Sequence, residues 1–165
     1  MATPTLQARV TAMRWEANDV VSVELRPASA DVEFPAFEAG SHINLNLSNG
    51  LSRSYSLCNA DSERQRYVVG VARDRKSRGG SVFVHDQLRV GGTLPIDPPR
   101  NNFKLDDTAP RSVLLAGGIG VTPMFSMLQH LVARGRPVEF IYCARSRQDA
   151  AFIDAIEALG GEHGV

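Results

Sequence analysis

The hydrophobic pattern changes at Pro110, and no other feature of the sequence constrains the fold as strongly. Before this residue, apolar and polar side chains alternate, first around Val23 and again around Leu45. Alternation of this kind is typical of strands that have one buried and one wet face. After it, residues 112–116 form a continuous apolar run, which is typical of a parallel strand buried on both faces. The sequence therefore predicts an antiparallel β part followed by an α/β part.

The alternating part of the chain predicts a small barrel or sandwich over residues 1–108. Turn residues such as Asn49-Gly50 separate its short strands, and many short strands with turns between them favour these two architectures. One helix is expected over residues 81–90, with Ser81 as its N-cap and two glycines after its end. The strands are expected at residues 7–15, 21–26, 43–48, 51–57, 66–72 and 93–96.

The second part of the chain predicts a β-α-β unit over residues 111–165. The two apolar runs, the second at 138–143, are its strands, and a helix with Thr122 as N-cap joins them. Ser146 and Asp149 resemble a capping box for a further helix. Two parallel strands do not complete a doubly wound domain, which is built from two βαβαβ halves. We therefore expect a chain truncated within this domain; the alternative is a natural minimal variant.

Charge and cysteine content exclude several classes of partner. Eighteen Lys plus Arg balance eighteen Asp plus Glu, so no overall field draws the chain to nucleic acid or to an anionic membrane. The two cysteines, Cys58 and Cys143, have no metal-ligand spacing and suit a reducing compartment. The first ten residues lack the apolar stretch of a secretion signal. We expect a cytoplasmic protein with no metal site, no nucleic acid partner and no membrane partner.

A glycine-rich segment, from Gly117 to Pro123, joins the first apolar run to the predicted helix. Glycines here let the backbone approach a pyrophosphate, and the helix N-terminus offers free N–H groups to its charge. Pro123 stands where the dinucleotide fingerprint has its third glycine, so the helix must pack on the strand differently. The segment predicts a dinucleotide site, and a glycine-rich turn without ligand is the alternative. Cys143 ends the second run, either beside a cofactor crevice or in the core.

A strand segment, Arg53-Ser54-Tyr55-Ser56, has the composition of a second ligand site. Alternation puts Arg53 and Tyr55 on one face of the strand, where they offer a phosphate clamp beside an aromatic surface. A serine on the opposite face is able to hydrogen-bond a heterocycle. From these residues alone, a polar outer face of the sheet is the favoured alternative.

A basic run precedes the predicted helix of the first part and is another candidate phosphate site. A glycine-rich helix start behind basic residues attracts anions through its free N–H groups. The alternative is a solvated loop, which is the favoured interpretation for the outer members of the run, Arg73 and Lys76. The run consists of Arg73, Arg75, Lys76 and Arg78, followed by Gly79, Gly80 and Ser81.

Taken in order, these motifs resemble the ferredoxin-NADP reductase superfamily. The resemblance extends over essentially the whole chain and is strongest to reductase components of aromatic-ring dioxygenases and demethylases, the group of phthalate dioxygenase reductase and vanillate demethylase reductase. It rests on residues 37–43, 53–59, 78–81 and 117–123. It implies a six-stranded antiparallel flavin-binding barrel followed by an incomplete Rossmann-like NAD(P)-binding domain.

The resemblance also implies a cofactor and its contacts. It implies FMN rather than FAD, with Tyr55 flanking the flavin and Ser56 as the catalytic residue close to flavin N5. The other flavin contacts implied are Arg53, Ser54, Arg78, Gly79, Gly80 and Ser81. The contacts implied for the pyridine nucleotide are Gly118, Gly120, Val121, Thr122, Cys143 and Arg145.

The function implied is hydride transfer from NAD(P)H to FMN, followed by one-electron transfer to the iron–sulfur centre of a Rieske-type oxygenase component. This group usually carries a plant-type 2Fe-2S domain with four cysteines, which we expect only in a missing C-terminal part. Two alternatives stay open: a free NAD(P)H:flavin or acceptor reductase, and a flavin-binding fragment without turnover. The sequence does not distinguish NADH from NADPH.

Overall fold

The computed structural model describes residues 5–74 and 76–163, so Arg75 of the basic run lies outside the described residues. None of the helices in these ranges is long and apolar enough to cross a bilayer. The elements in chain order are β1 (Leu6–Ala17), β2 (Val20–Pro27), β3 (His42–Asn46), β4 (Ser52–Ser56), β5 (Tyr67–Ala72), α1 (Gly80–Asp86), β6 (Thr93–Ile96), β7 (Ser112–Gly117), α2 (Val121–Ala133), β8 (Val138–Cys143) and α3 (Ile153–His163).

Strands β1 to β6 form one antiparallel sheet in the order β4-β3-β6-β1-β2-β5. Its two outer strands meet through a bridge between Leu57 and Val69, so the sheet curls into a barrel. The alternating apolar residues point inward, and Val23, Leu45 and Tyr67 are at most 1% exposed. The predicted six-stranded antiparallel barrel is therefore confirmed. We call these strands together with α1 the barrel.

The helix of the barrel, α1, is shorter than predicted. It covers Gly80–Asp86, whereas the sequence predicted residues 81–90 with Ser81 as the N-cap. The N-cap is Gly79, whose φ of 93° is a left-handed conformation that favours glycine. The Ser81 hydroxyl instead accepts a hydrogen bond from the Asp74 N–H at 3.1 Å. A backbone conformation rather than a side-chain hydroxyl therefore starts this helix.

Strands β7 and β8 pair in parallel, and α2 and α3 pack with them into a second core; we call this part the α/β unit. Leu114 and Ala116 of β7 are buried in that core, as predicted. Their neighbours Val113 and Leu115 are 57% and 61% exposed, so the predicted burial of both faces is wrong for this strand. The reason is that, among the described residues, the helices cover only one face of the two-stranded sheet.

Both helices of the α/β unit begin differently from the prediction. Helix α2 starts one residue before Thr122, after a 3-10 turn over Gly118–Gly120. Helix α3 starts at Ile153, because Ser146 opens only a short 3-10 turn. The Ser146 hydroxyl donates to the Asp149 carboxylate at 2.8 Å and caps no backbone N–H. Both predicted caps are wrong because each hydroxyl bonds a neighbour other than the free amides of the helix.

Candidate functional site

Strand β4 carries the predicted flavin residues on the outside and edge of the barrel. The Ser54 hydroxyl donates to Asn44 Oδ1 at 2.5 Å, so Ser54 belongs to a polar pair with the neighbouring strand. Tyr55 packs partly against the barrel core. Burial raises the pKa of its phenol, and the positive charge of Arg53 lowers that pKa by less. The Ser56 hydroxyl has no hydrogen-bond partner among residues 5–74 and 76–163. Tyr55 is therefore a neutral aromatic surface, and Ser56 has a hydroxyl that is available to a ligand.

The Arg53 side chain lies across the start of α1. A Cβ on Gly80 would stand 2.6 Å from Arg53 Cγ and 2.8 Å from its Nε, so a side chain at position 80 would displace Arg53. The guanidinium donates to the Ser52 carbonyl at 2.8 Å and lies 3.5 Å from the Arg78 carbonyl. No carboxylate in the described part of the chain pairs with it. A cation without a counter-ion thus lies at a helix start, an arrangement that fits a phosphate.

The backbone around the start of α1 supplies fewer free donors than the motif suggests. The Gly79 N–H already donates to the Ser77 hydroxyl at 3.1 Å. The N–H groups of Gly80 and Ser81 lie in the first helical turn, where no intrahelical acceptor exists. Arg78 is exposed beside them. The unpaired donors here are therefore the amide of Gly80, which is buried under Arg53, the amide of Ser81 and the guanidinium described above.

The glycine-rich turn after β7 is open to solvent. Gly118 has a φ of 49°, and the residues from Gly118 to Gly120 are all exposed. A Cβ on Gly118 or Gly120 would meet no atom within 4 Å, so neither glycine is needed for packing inside the protein. The turn leads into α2, where the Val121 N–H already donates within the 3-10 turn, to the Gly118 carbonyl. A diphosphate is able to approach the backbone closely at such a turn.

Two predicted nucleotide residues, Val121 and Thr122, are buried at 0% and 4% exposure. A Cβ on Gly70 of β5 would stand 2.6 Å from Thr122 Cγ2, so Thr122 packs directly on the barrel. The Thr122 hydroxyl donates to the Ile119 carbonyl at 3.0 Å. The side chains of these residues therefore join the two parts of the molecule, and the Val121 N–H is used within the 3-10 turn, where it donates to the Gly118 carbonyl. Sequence reasoning missed Gly70 because a glycine within a strand does not show what packs on it.

A crevice of about 530 Å³ lies between the glycine-rich turn and the barrel. Gly118 and Arg145 line it from the α/β unit, while Asn18 and Lys76 line it from the barrel. Gly118 and Arg145 thus lie at one crevice, and Cys143 is exposed at the end of β8. The volume of this crevice is in the range of small-molecule sites. Asn18 was missed because it lies in a turn without a motif.

Comparison with known proteins agrees with this arrangement. Residues 114–164 match the family model described as an oxidoreductase NAD-binding domain. The chain is 49% identical to tetrachlorobenzoquinone reductase of Sphingobium chlorophenolicum, over 98% of this chain and 49% of that protein. It is 46% identical to vanillate O-demethylase oxidoreductase of Pseudomonas putida, over 90% of this chain and 46% of that protein.

Among solved structures, phthalate dioxygenase reductase superposes with a TM-score of 0.89 at 39% identity, over 92% of this chain and 47% of that chain. The chain spans about half the length of the curated relatives it matches. Both the barrel and the α/β unit take part in the superposition, and the predicted resemblance is confirmed. The chain belongs to the ferredoxin-NADP reductase superfamily, in the group that contains phthalate dioxygenase reductase and the vanillate demethylase reductases.

Proposed function

We propose that the whole protein is an FMN-dependent reductase that takes hydride from NAD(P)H and passes single electrons to the iron–sulfur centre of a Rieske-type aromatic-ring oxygenase or demethylase in the cytoplasm. The names of its relatives support this, since one is an O-demethylase oxidoreductase and another transfers electrons from pyridine nucleotides to a 2Fe-2S cluster. We assign the reductase's own cluster to a further domain, because such a cluster needs four cysteines and this sequence has two.

The observation that carries the flavin part of the proposal is the position of Arg53 over Gly80. The guanidinium has no carboxylate partner among the described residues, and the bare backbone under it belongs to the first turn of α1. A phosphate monoester matches this set, because it accepts both guanidinium and backbone N–H hydrogen bonds. We therefore assign the FMN phosphate to Arg53, Gly80 and Ser81, with Gly79 shaping the turn and Arg78 adding charge nearby.

A bound flavin would supply the step that side chains cannot perform, because it accepts two electrons at once and releases them one at a time. The chain's own residues hold and orient it. Tyr55 offers a flat, neutral surface beside the ring, and Ser54 keeps the strand polar next to it. Ser56 offers its unpartnered hydroxyl to flavin N5. These assignments place one aromatic contact and one hydrogen bond on the same short strand.

We assign the pyridine nucleotide to the crevice between the two parts of the molecule. Its diphosphate would lie against the exposed backbone of Gly118 and Gly120, beside the buried first residues of α2, Val121 and Thr122. Arg145, whose side chain is 90% exposed, adds a guanidinium at the end of β8, 3.6 Å from the Asp149 carboxylate that pairs with it. Cys143 is exposed at that strand end as well. Hydride transfer requires the nicotinamide to reach the flavin from this crevice.

The Ser56→Ala variant tests the flavin contact in the FMN-loaded protein. We expect FMN to stay bound and its reduction by NADH to slow roughly 2- to 13-fold, the value of one hydrogen bond. Stopped-flow absorbance measures the rate. Ser52→Ala is the matched control, because Ser52 lies on the same strand, is exposed and has no assigned flavin contact. An unchanged reduction rate in Ser56→Ala would remove the assignment.

A second candidate function is an NAD(P)H:acceptor reductase that works without an iron–sulfur domain. The relative that favours it is tetrachlorobenzoquinone reductase, which is 49% identical to this chain. Ferricyanide reduction by NADH identifies either enzyme and excludes a flavin-binding module without turnover. Adding a Rieske oxygenase component then separates the two enzymes, since only the first proposal expects electrons to reach it.

A further inference from the structure

One face of helix α2 donates hydrogen bonds to the backbone just after β4. The Ser126 hydroxyl donates to the Asn59 carbonyl at 2.9 Å, and the Gln129 side-chain amide donates to the Cys58 carbonyl at 2.8 Å. Residues three apart lie on the same helix face, so the two bonds act together. Ser126 is fully buried, and a bond shielded from water is stronger than an exposed one. The Gln129 amide also donates to the Phe125 carbonyl at 3.1 Å, which holds it along the helix.

The same stretch is hydrogen-bonded to the barrel through its N–H groups. The Leu57 N–H donates to the Ser41 carbonyl and the Cys58 N–H to the Val68 carbonyl, both at 2.9 Å. The stretch is therefore held from two sides, by the barrel through its amides and by α2 through its carbonyls. The bonds to α2 connect it to the α/β unit, and the Cys58 side chain packs in the same core as Met127 and Leu128 of α2. The bonds also connect sequence positions about 70 residues apart.

This contact lies between the two ligand sites assigned above. Cys58 follows Ser56 by two residues, which is about 7 Å along an extended chain. At its other end, α2 begins directly after the glycine-rich turn. We propose that Gln129 and Ser126 are positioning residues: they hold the end of β4, and with it the Ser56 hydroxyl, in place against the helix that begins at the nucleotide site. The inference rests on the proposed function, because it concerns the flavin contact assigned to Ser56.

A double-mutant cycle on flavin affinity tests this role in the full 165-residue chain. Ser56→Ala is expected to lower the affinity for oxidised FMN roughly 2- to 13-fold, and Gln129→Leu to lower it by a smaller factor. The double variant should bind FMN as tightly as Ser56→Ala alone, because Gln129 acts only through the Ser56 hydroxyl. Riboflavin should show the same factors, since it has the same N5 atom. The visible absorption band of bound FMN should shift in the same direction in both single variants.

Two further variants keep the test decisive. Ser126→Ala removes the second bond with a smaller change of side chain, and we expect it to behave like Gln129→Leu in the cycle. Gln87→Leu is the control, because Gln87 is an exposed glutamine next to α1 and outside this contact. Its flavin affinity and absorption band should match those of the unchanged chain.

The possible results separate this inference from the proposed function. If Ser56→Ala lowers the affinity for FMN but Gln129→Leu and Ser126→Ala do not, the inference alone is overturned. If the losses in the double variant multiply, the two residues act independently and the inference is again overturned. If Ser56→Ala itself changes neither affinity nor absorption, the assignment of Ser56 in the proposed function fails, and the inference fails with it.

Discussion

The barrel encloses the inward-facing apolar residues of its strands, whereas the α/β unit covers only one face of its sheet. In the barrel, Val23 and Leu45 are fully buried. In the α/β unit, Leu115 and Ile141 are 61% and 41% exposed, although both belong to apolar strands. The difference follows from topology. A closed antiparallel sheet surrounds its core, whereas a parallel sheet needs a layer of helices on each face.

This difference applies to the two assigned ligand sites as well. Every residue assigned to FMN lies on β4 or at the start of α1, within the barrel that is closed in this structure. The residues assigned to the pyridine nucleotide lie at the ends of two strands, whereas a doubly wound domain binds its dinucleotide across a larger sheet. We therefore expect this chain to bind flavin with its own residues and to bind the pyridine nucleotide more weakly than a doubly wound domain would.

The largest expected effect compares one leucine of the barrel with one leucine of the α/β unit. Leu45→Ala should cost about 2 to 5 kcal/mol of unfolding free energy, because Leu45 is fully buried in the barrel core. Leu115→Ala, on the open face of β7, should change it by no more than about 0.5 kcal/mol. Urea unfolding followed by circular dichroism measures both. Equal losses in the two variants would mean that the exposed face is covered in solution.

A smaller effect is expected at Glu24, a carboxylate of the barrel that is 9% exposed. Burial acts to raise its pKa, but hydrogen bonds from Arg66, Thr11 and Arg26 outweigh burial and lower the pKa from 4.5 to about 2. A carboxylate with a lowered pKa stabilises the fold above its unfolded pKa, and this contribution is lost as the pH falls from about 4.5 to 2.

Glu24→Gln should therefore cost about 2 kcal/mol at neutral pH and make stability less dependent on pH in that acid range. Urea unfolding at several pH values tests this. Asp154→Asn in α3 is the control, because Asp154 is 89% exposed and its ion pair with Arg147 is open to solvent. An unchanged acid slope in Glu24→Gln would show that Glu24 does not carry the effect.

The contact between the two parts is tested at Gly70. Valine there would push against Thr122 and Phe152, whose atoms stand 2.6 and 3.2 Å from the position of a Cβ. We expect Gly70→Val to cost about 1 to 3 kcal/mol and to speed hydrogen exchange in α2 and α3 more than in β1 and β6. Gly161→Ala is the control, because a Cβ there meets nothing within 4 Å. Faster exchange throughout the barrel would contradict a local contact.

The sequence predicted the strands well because their pattern depends on each strand's own two faces. Alternation around Val23 and Leu45 is enough to show which side chains face the barrel core, but it did not show that Ser22 and Glu24, on the other face of β2, are buried as well. An apolar run does not carry this information, so the exposure of Leu115 was not predicted. Such a run shows that burial is possible on both faces but not that another element covers both.

The sequence predicted helix starts and site contacts less well, because these depend on residues distant in the chain. Ser81 and Ser146 look like N-caps, but their hydroxyls bond Asp74 and Asp149. Gln129 was missed because its partner, the Cys58 carbonyl, is a backbone atom 71 residues away. The assigned ligand residues were found through ordered motifs, and motifs show residue types without showing which of their donors are already used.

The most direct test of the account is the affinity of the chain for FMN and riboflavin, which differ only in the phosphate, measured with Arg53→Ala by flavin fluorescence. The unchanged chain should bind one FMN more tightly than riboflavin. Arg53→Ala should lose roughly 10- to 150-fold in FMN affinity, as for a charged hydrogen bond, and little in riboflavin affinity. Equal losses for the two flavins, or no loss for FMN, would contradict a phosphate site formed by Arg53 over the start of α1.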